Sequence, residues 1–80
     1  MVAKSDPVNV AYEAEAKGLL KGELKRRGIT YAQLAERLVS IGVAQTEHNL
    51  KNKISRGGFS AAFLLQCFEA IGAEVIRVRP

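Results

Sequence analysis

The sequence predicts a mainly α-helical domain of four helices followed by a short C-terminal β-strand. Four capping residues, each an Asp, Thr or Ser, stand before stretches with apolar residues at helical spacing. After the fourth stretch the period changes to two, because Ile76 and Val78 alternate with arginines, which is typical of a strand. These observations predict a mobile N-terminal tail at 1–6, a helical domain at 7–72 and the strand within 73–80.

Capping signals set the predicted helix boundaries. The caps, in order, are Asp6 before Pro7, Thr30 in a T-x-x-Q box with Gln33, Thr46, and Ser60. The predicted helices are 7–27, a second starting at Thr30, a third that follows Thr46 and ends at Arg56, and a fourth at 61–71. The fourth helix is apolar on nearly all sides, which predicts that it is the central helix of the domain.

Composition and charge limit the classes of function. The chain is 48% hydrophobic, as in globular domains, and no apolar run approaches the roughly 20 residues of a membrane span. A single cysteine, Cys67, excludes an internal disulfide and a Cys-based zinc site, so we expect it in the core of a protein from the reduced cytoplasm. The net charge of +4 favours polyanionic partners.

The sequence predicts no enzyme, no cofactor and no metal site. The one histidine and the one cysteine fall on different predicted helices, and the pair Gly57-Gly58 lacks the surrounding motif of a phosphate-binding loop. The chain also lacks the cluster of ligands that a bound metal requires. A binding function is therefore expected.

The third predicted helix carries a polar and basic outer face. At about 100° per residue, Leu50 and Ile54 define its buried side. On the outer side, we predict that His48, Asn49 and Asn52 contact DNA base edges. The residues predicted to contact phosphates are Tyr31, Thr46, Lys51, Lys53, Ser55 and Arg56. The alternative is that this is the ordinary solvated face of a surface helix.

The layout TYAQLAERL…LKNKISRG…FLLQCFEAIG resembles the Xre/Cro-type helix-turn-helix over about 24–72. The tail AIGAEVIRVRP resembles the Cro-like ending, in which a strand follows the last helix and helps to dimerise. A closer resemblance, over about 16–72, is to a family of small bacterial proteins catalogued as a domain of unknown function. The spacing from Ala35 to Leu50 is longer than in the standard motif, so either the second helix is extended or the turn is enlarged.

Two functions follow as expectations. The first is a sequence-specific double-stranded-DNA-binding protein, a small bacterial transcriptional regulator that reads the major groove with the helix at 46–56. In this hypothesis Val75, Ile76, Arg77 and Val78 pair with the same strand of a second copy to form a homodimer, the alternative being a frayed tail. The second function is a protein-interaction module, antitoxin-like or an adaptor, without high-affinity DNA binding. RNA binding is disfavoured, because few exposed aromatic side chains are expected.

Overall fold

The computed structural model describes residues 6–78, and these form four α-helices. The helices are α1 at Pro7–Arg27, α2 at Tyr31–Ser40, α3 at Glu47–Arg56 and α4 at Ala61–Ala70. The mainly α-helical prediction is therefore confirmed, with two boundaries shifted by one residue, because Thr30 is the N-terminal cap of α2 and Ile71 is the C-terminal cap of α4. The tail predicted at 1–6 lies outside the described residues except for Asp6, which caps α1.

Each helix begins at the cap that the sequence predicts. The side-chain oxygens of Asp6, Thr30, Thr46 and Ser60 accept hydrogen bonds from the backbone N–H groups of Val8 and Asn9, Gln33, Asn49, and Phe63, respectively. The backbone N–H of Thr30 also donates to the Gln33 side chain, which completes the capping box. Each such cap stabilises its helix by about 1 kcal/mol, so these boundaries are set locally.

Each helix packs against two of the other three helices. Helix α1 lies against α3 and α4, and α2 lies against the same two helices. Within residues 6–78, the backbones of α1 and α2 do not approach each other, nor do those of α3 and α4. The core between them consists of Leu20, Leu24, Leu34, Leu38, Leu50, Ile54, Phe63, Cys67, Phe68 and Ile71. Burial of each large side chain contributes about 1.5–3 kcal/mol, and every helix supplies at least two of them.

Arg27 joins the end of α1 to the end of α4 and also forms an ion pair within α1. The Arg27 guanidinium donates to the main-chain oxygen of Ile71 over 3.2 Å and to the Glu23 carboxylate over 3.1 Å. Glu23 is the one buried charged residue of the described core, and Arg26 also pairs with it. The buried carboxylate thus has two cationic partners, which offset the cost of taking its charge out of water.

The prediction that α4 is the central helix is wrong. Phe63, Cys67 and Phe68 face the core, but Leu65 on the other side of the helix is 66% exposed. The reason is that α4, like each of the other helices, has only two neighbouring helices, which are α1 and α2, so its remaining face has no neighbour among the described helices. The apolar character of the α4 sequence therefore did not predict the number of helices that pack against it.

The predicted C-terminal β-strand is also wrong, because no strand occurs among the described residues. After α4, Gly72 adopts a positive φ of 75° and the N–H of Ala73 bonds to the main-chain oxygen of Phe68, which closes the helix in a Schellman turn. The segment 73–78 then continues without regular structure.

The four residues predicted to form a dimer strand have unequal environments. Ile76 packs against the core, whereas Val75 and Val78 are 86% and 59% exposed and Arg77 is exposed. The alternating pattern therefore marks one anchoring side chain rather than a strand. The physical reason is that a lone strand has no backbone partner within a helical chain. None of the described helices is long and apolar enough to cross a bilayer.

Candidate functional site

Helix α3 presents one polar side away from the core. Leu50 and Ile54 are fully buried, as predicted. His48, Asn49 and Asn52, the residues predicted to contact bases, are all exposed. They fall within one arc of the helix, opposite the buried pair, because of the 3.6-residue period. The structure thus places all three on a surface that a large ligand can reach.

His48 and Asn52 form a hydrogen-bonded pair one helical turn apart. The amide nitrogen Nδ2 of Asn52 lies 3.2 Å from Nε2 of His48, with the amide as donor. This contact holds both side chains over the middle of the exposed face. An asparagine amide has two N–H groups and a carbonyl oxygen, so one donor and one acceptor remain for a bidentate contact.

The six residues predicted to contact phosphates divide into two groups. Thr46, Lys51, Ser55 and Arg56 are exposed, although the hydroxyl oxygen of Thr46 already accepts the capping bond from Asn49. Tyr31 and Lys53 are partly taken up by packing. Tyr31 is half-buried against the core, and the Lys53 ammonium lies 4.8 Å from the centre of the Phe63 ring. Such a cation–π contact stabilises a lysine in one position.

Arg56 lines the same cavity as a carboxylate. It lines a cavity of about 450 Å³ at the end of α3 together with Glu13, Gly58 and Ser60. The negative charge of Glu13 lowers the positive potential at this end of the helix. Of the basic residues on α3, Lys51 is therefore the one in the most favourable setting for an anion.

Sequence reasoning missed the lysines of α1 as part of this surface. The Lys17 ammonium donates to the main-chain oxygen of Ser55 over 3.0 Å. Lys21 and Lys25 line a cavity of about 340 Å³ together with Glu47, at the other end of α3. The two helices therefore run antiparallel. Because Lys51 is one helical turn from both Glu47 and Ser55, we infer that it lies on the side of α3 that faces the lysine row.

We call these four residues, Lys17, Lys21, Lys25 and Lys51, the lysine strip. Neither of the ion pairs among the described residues involves Lys21, Lys25 or Lys51. Their charges remain available to a ligand, although Glu47 lines the same cavity as Lys21 and Lys25 and carries the opposite charge. The i, i+4 spacing of the α1 lysines is visible in the sequence, but its position along α3 depends on tertiary packing.

Cys67 is buried in the core, as predicted. Desolvation by burial raises the pKa of its thiol to about 12, and the Lys53 charge opposes the shift. The thiol is therefore neutral at physiological pH and a poor nucleophile. Across the described residues, no group of three or more His, Cys, Asp or Glu side chains is arranged to hold a metal ion.

The family of the chain is known from its match to a protein-family model. A family model described as a domain of unknown function (DUF6471) matches residues 12–76. The chain belongs to the DUF6471 family. No curated protein and no solved structure matches it. The resemblance to a family of unknown function is thus confirmed, and the Xre/Cro-type resemblance stays a prediction.

The DUF6471 match contains the lysine strip, the exposed face of α3 and the connection between α2 and α3. That connection spans 41–46, so the extra residues expected between these helices lie in the turn and not in a longer helix. Gly42 has a φ of 87°, and the N–H of Val43 bonds to the main-chain oxygen of Leu38. The connection therefore begins with an ordered turn that ends α2.

Proposed function

We propose that this DUF6471 domain binds double-stranded DNA through the exposed face of α3 and acts as a small bacterial transcriptional regulator. The observation that supports the proposal most directly is the lysine strip beside that face. It sets cations from two helices next to side chains that can hydrogen-bond to base edges, and Lys21, Lys25 and Lys51 form no ion pair among the described residues. Phosphate contacts of this kind supply much of the affinity for DNA, and base contacts supply the specificity.

In this proposal His48, Asn49 and Asn52 contact bases in the major groove. Asn52 retains one amide donor and its carbonyl acceptor beyond the bond to His48, which is the pattern that adenine matches. Asn49 lies in the first turn of α3, and the N-terminal residues of a recognition helix commonly reach deepest into the groove.

The phosphate contacts come from both helices. Lys51 contributes from α3, and Lys21 and Lys25 contribute from α1, because none of the three is engaged in an ion pair among the described residues. The other proposed phosphate contacts are Tyr31, Thr46, Lys53, Ser55 and Arg56. We expect smaller contributions from Lys53, which lies over Phe63, and from Arg56, which lies near Glu13.

Helices α2 and α3 would serve as the two helices of a helix-turn-helix, in keeping with the Xre/Cro-type resemblance of their sequences. The two helices pack against each other, and each has its own cap. Because the turn at 41–46 is enlarged, the proposal rests on the side-chain chemistry of α3 and not on the docking angle of the standard motif. A cytoplasmic location belongs to the same proposal, since bacterial transcription takes place there.

The test is fluorescence anisotropy of a labelled random duplex titrated at increasing salt. We expect binding at low salt, with a logarithmic salt slope of about 0.9 per phosphate contact. The double substitution Lys21→Gln/Lys25→Gln should reduce the magnitude of that slope by about 1.8, which corresponds to the loss of two phosphate contacts. Arg77→Gln removes a positive charge from the exposed C-terminal segment and serves as the control, with no change in slope expected.

Base contacts need a second measurement. After selection of a preferred site from a random pool, Asn52→Ala should lower the preference for that site over random DNA, by about 1–3 kcal/mol for a lost bidentate pair, while the salt slope stays the same. Absence of binding by the wild-type protein at low salt would overturn the DNA proposal. The function would then be the protein-interaction module, and stoichiometric capture of a protein partner would identify it.

A further inference from the structure

A second surface is formed by α1, α4 and the segment 73–78, and it is more apolar than the lysine strip. We call it the α1–α4 face. Two adjoining grooves run across it, one of about 600 Å³ over Gly18 and Gly22 and one of about 800 Å³ over Leu64 and Leu65. Leu19 and Ile76 line both grooves, so the C-terminal segment forms the ridge that separates them.

The α1–α4 face exposes large apolar side chains. Leu65 is 66% exposed, Val78 59% and Val75 86%. Leu65 and Val78 line the larger groove, and Val75 lines the smaller one. These side chains offer apolar surface on which another protein chain can pack.

The shape of the face is complementary to itself. The segment 73–78 forms a ridge between the two grooves, and Ile76 anchors this ridge by packing against the core. On the floor of the smaller groove, a Cβ atom added to Gly18 or Gly22 would meet nothing within 4 Å, so there is room for an inserted side chain. A face with both a ridge and a groove can receive a copy of itself across a two-fold axis.

The charges on the face are complementary in the same way. Arg77 and the Arg26–Glu23 ion pair line the smaller groove, which leaves Arg77 as its uncompensated charge, whereas Glu69 and Glu74 line the larger groove. A two-fold rotation that seats the segment 73–78 of one copy in the larger groove of the other brings Arg77 toward Glu69 of that groove. The two grooves together carry two positive and three negative groups, so the face does not favour a polyanion such as DNA.

We propose that the α1–α4 face binds a second copy of this chain and forms a two-fold symmetric dimer. The contact is between side chains of α1, α4 and the ridge, and it involves no β-strand. The proposal does not depend on DNA binding, because the α1–α4 face and the exposed face of α3 use different residues.

The test is sedimentation velocity of the full chain without DNA, over a range of protein concentrations. We expect a species of twice the 8.7 kDa chain mass that dissociates on dilution. Leu65→Lys should weaken this association by about tenfold or more, because it places a charge in an apolar contact. Leu65 is exposed in the single chain, so circular dichroism should show an unchanged helix content.

Val39→Lys is the matched control. Val39 is 61% exposed on α2, outside the α1–α4 face, and the variant should dimerise like the wild type. The proposal is overturned by a wild-type protein that stays monomeric at every concentration, or by equal effects of the two substitutions. Growth beyond two copies would also overturn it, since a two-fold contact closes after the second copy.

Discussion

Lys17 and Ser55 join α1 to the last turn of α3, through a hydrogen bond of 3.0 Å from the Lys17 ammonium to the Ser55 main-chain oxygen. Carbonyl oxygens at the end of a helix lack partners within the helix, and the helix dipole makes that end negative. The lysine therefore satisfies an acceptor and a partial charge at once. It also fixes the exposed face of α3 relative to the lysine row of α1.

Loss of this contact should be measurable as stability. We predict that Lys17→Met lowers the free energy of unfolding by about 0.5–1 kcal/mol, because the partly exposed hydrogen bond and the dipole interaction are both removed. Urea denaturation measures the change. Lys21→Met is the control, and it should change stability by less than about 0.5 kcal/mol. Equal losses in the two variants would show that the contact with Ser55 has no stabilising effect.

Gly57 is required for the close approach of α3 to α1. Its φ is 75°, and a Cβ at this position would lie 3.2 Å from the main-chain oxygen of Glu13. Gly72 has the same φ but open space around it. We predict that Gly72→Ala destabilises the protein by about 1–2 kcal/mol, from backbone conformation alone, and that Gly57→Ala destabilises it further. Thermal unfolding of both variants tests this order, and the reverse order would contradict it.

Arg27 and Arg26 are adjacent but should differ in their effect on stability. Arg27 bonds to both Glu23 and the Ile71 main-chain oxygen, whereas the Arg26 side chain is 72% exposed. We predict a loss of about 1–2 kcal/mol for Arg27→Met, allowing for partial exposure, and less than about 0.5 kcal/mol for Arg26→Met. Chemical denaturation would refute the assignment if Arg26→Met proved the more costly change.

The buried thiol of Cys67 should make stability depend on alkaline pH. Burial raises its pKa from 9.0 to about 12, so the folded protein keeps a proton that the unfolded chain releases above pH 9. This contribution is complete below pH 9 and is lost as the pH rises toward 12. At one pH unit above 9.0 the loss is about 1.4 kcal/mol.

The substitution Cys67→Ala isolates that effect. The variant leaves a cavity and is less stable at all pH values, but the difference from the wild type should narrow as the pH rises from 8 to 10.5, by about 1–2 kcal/mol. Urea denaturation at several pH values measures the difference. A difference that is constant over this range would mean that the thiol ionises in the folded protein as easily as in the unfolded chain.

The helices could be predicted from the sequence because their boundaries depend on local contacts. Asp6, Thr30, Thr46 and Ser60 each bond to an N–H group two or three residues ahead, so the signal and its effect lie within one turn. The buried side of α3 was predictable for a similar reason, since Leu50 and Ile54 are separated by one helical turn.

The candidate site was less predictable because it combines residues distant in sequence. The contact of Lys17 with Ser55 joins positions 38 residues apart, and no local pattern indicates it. The packing of Lys53 over Phe63 is likewise a tertiary contact, so the sequence did not distinguish Lys53 from Lys51. The strand failed for the converse reason, since the alternation around Ile76 is local and the ladder partner that it needs is absent from the described residues.

The order in which the helices pack also affects how fast the chain folds, because α1 and α2 each contact α3 and α4 but not each other. Helix α1 packs against α3 and α4 rather than against its neighbour in sequence, so part of the core requires contacts between helices that are far apart in the sequence. High contact order of this kind slows folding relative to an up-and-down bundle of similar length. During synthesis, α1 has no complete packing partner until α4 leaves the ribosome. We therefore expect folding to wait for nearly the whole chain, and fragments that lack α4 to stay unfolded.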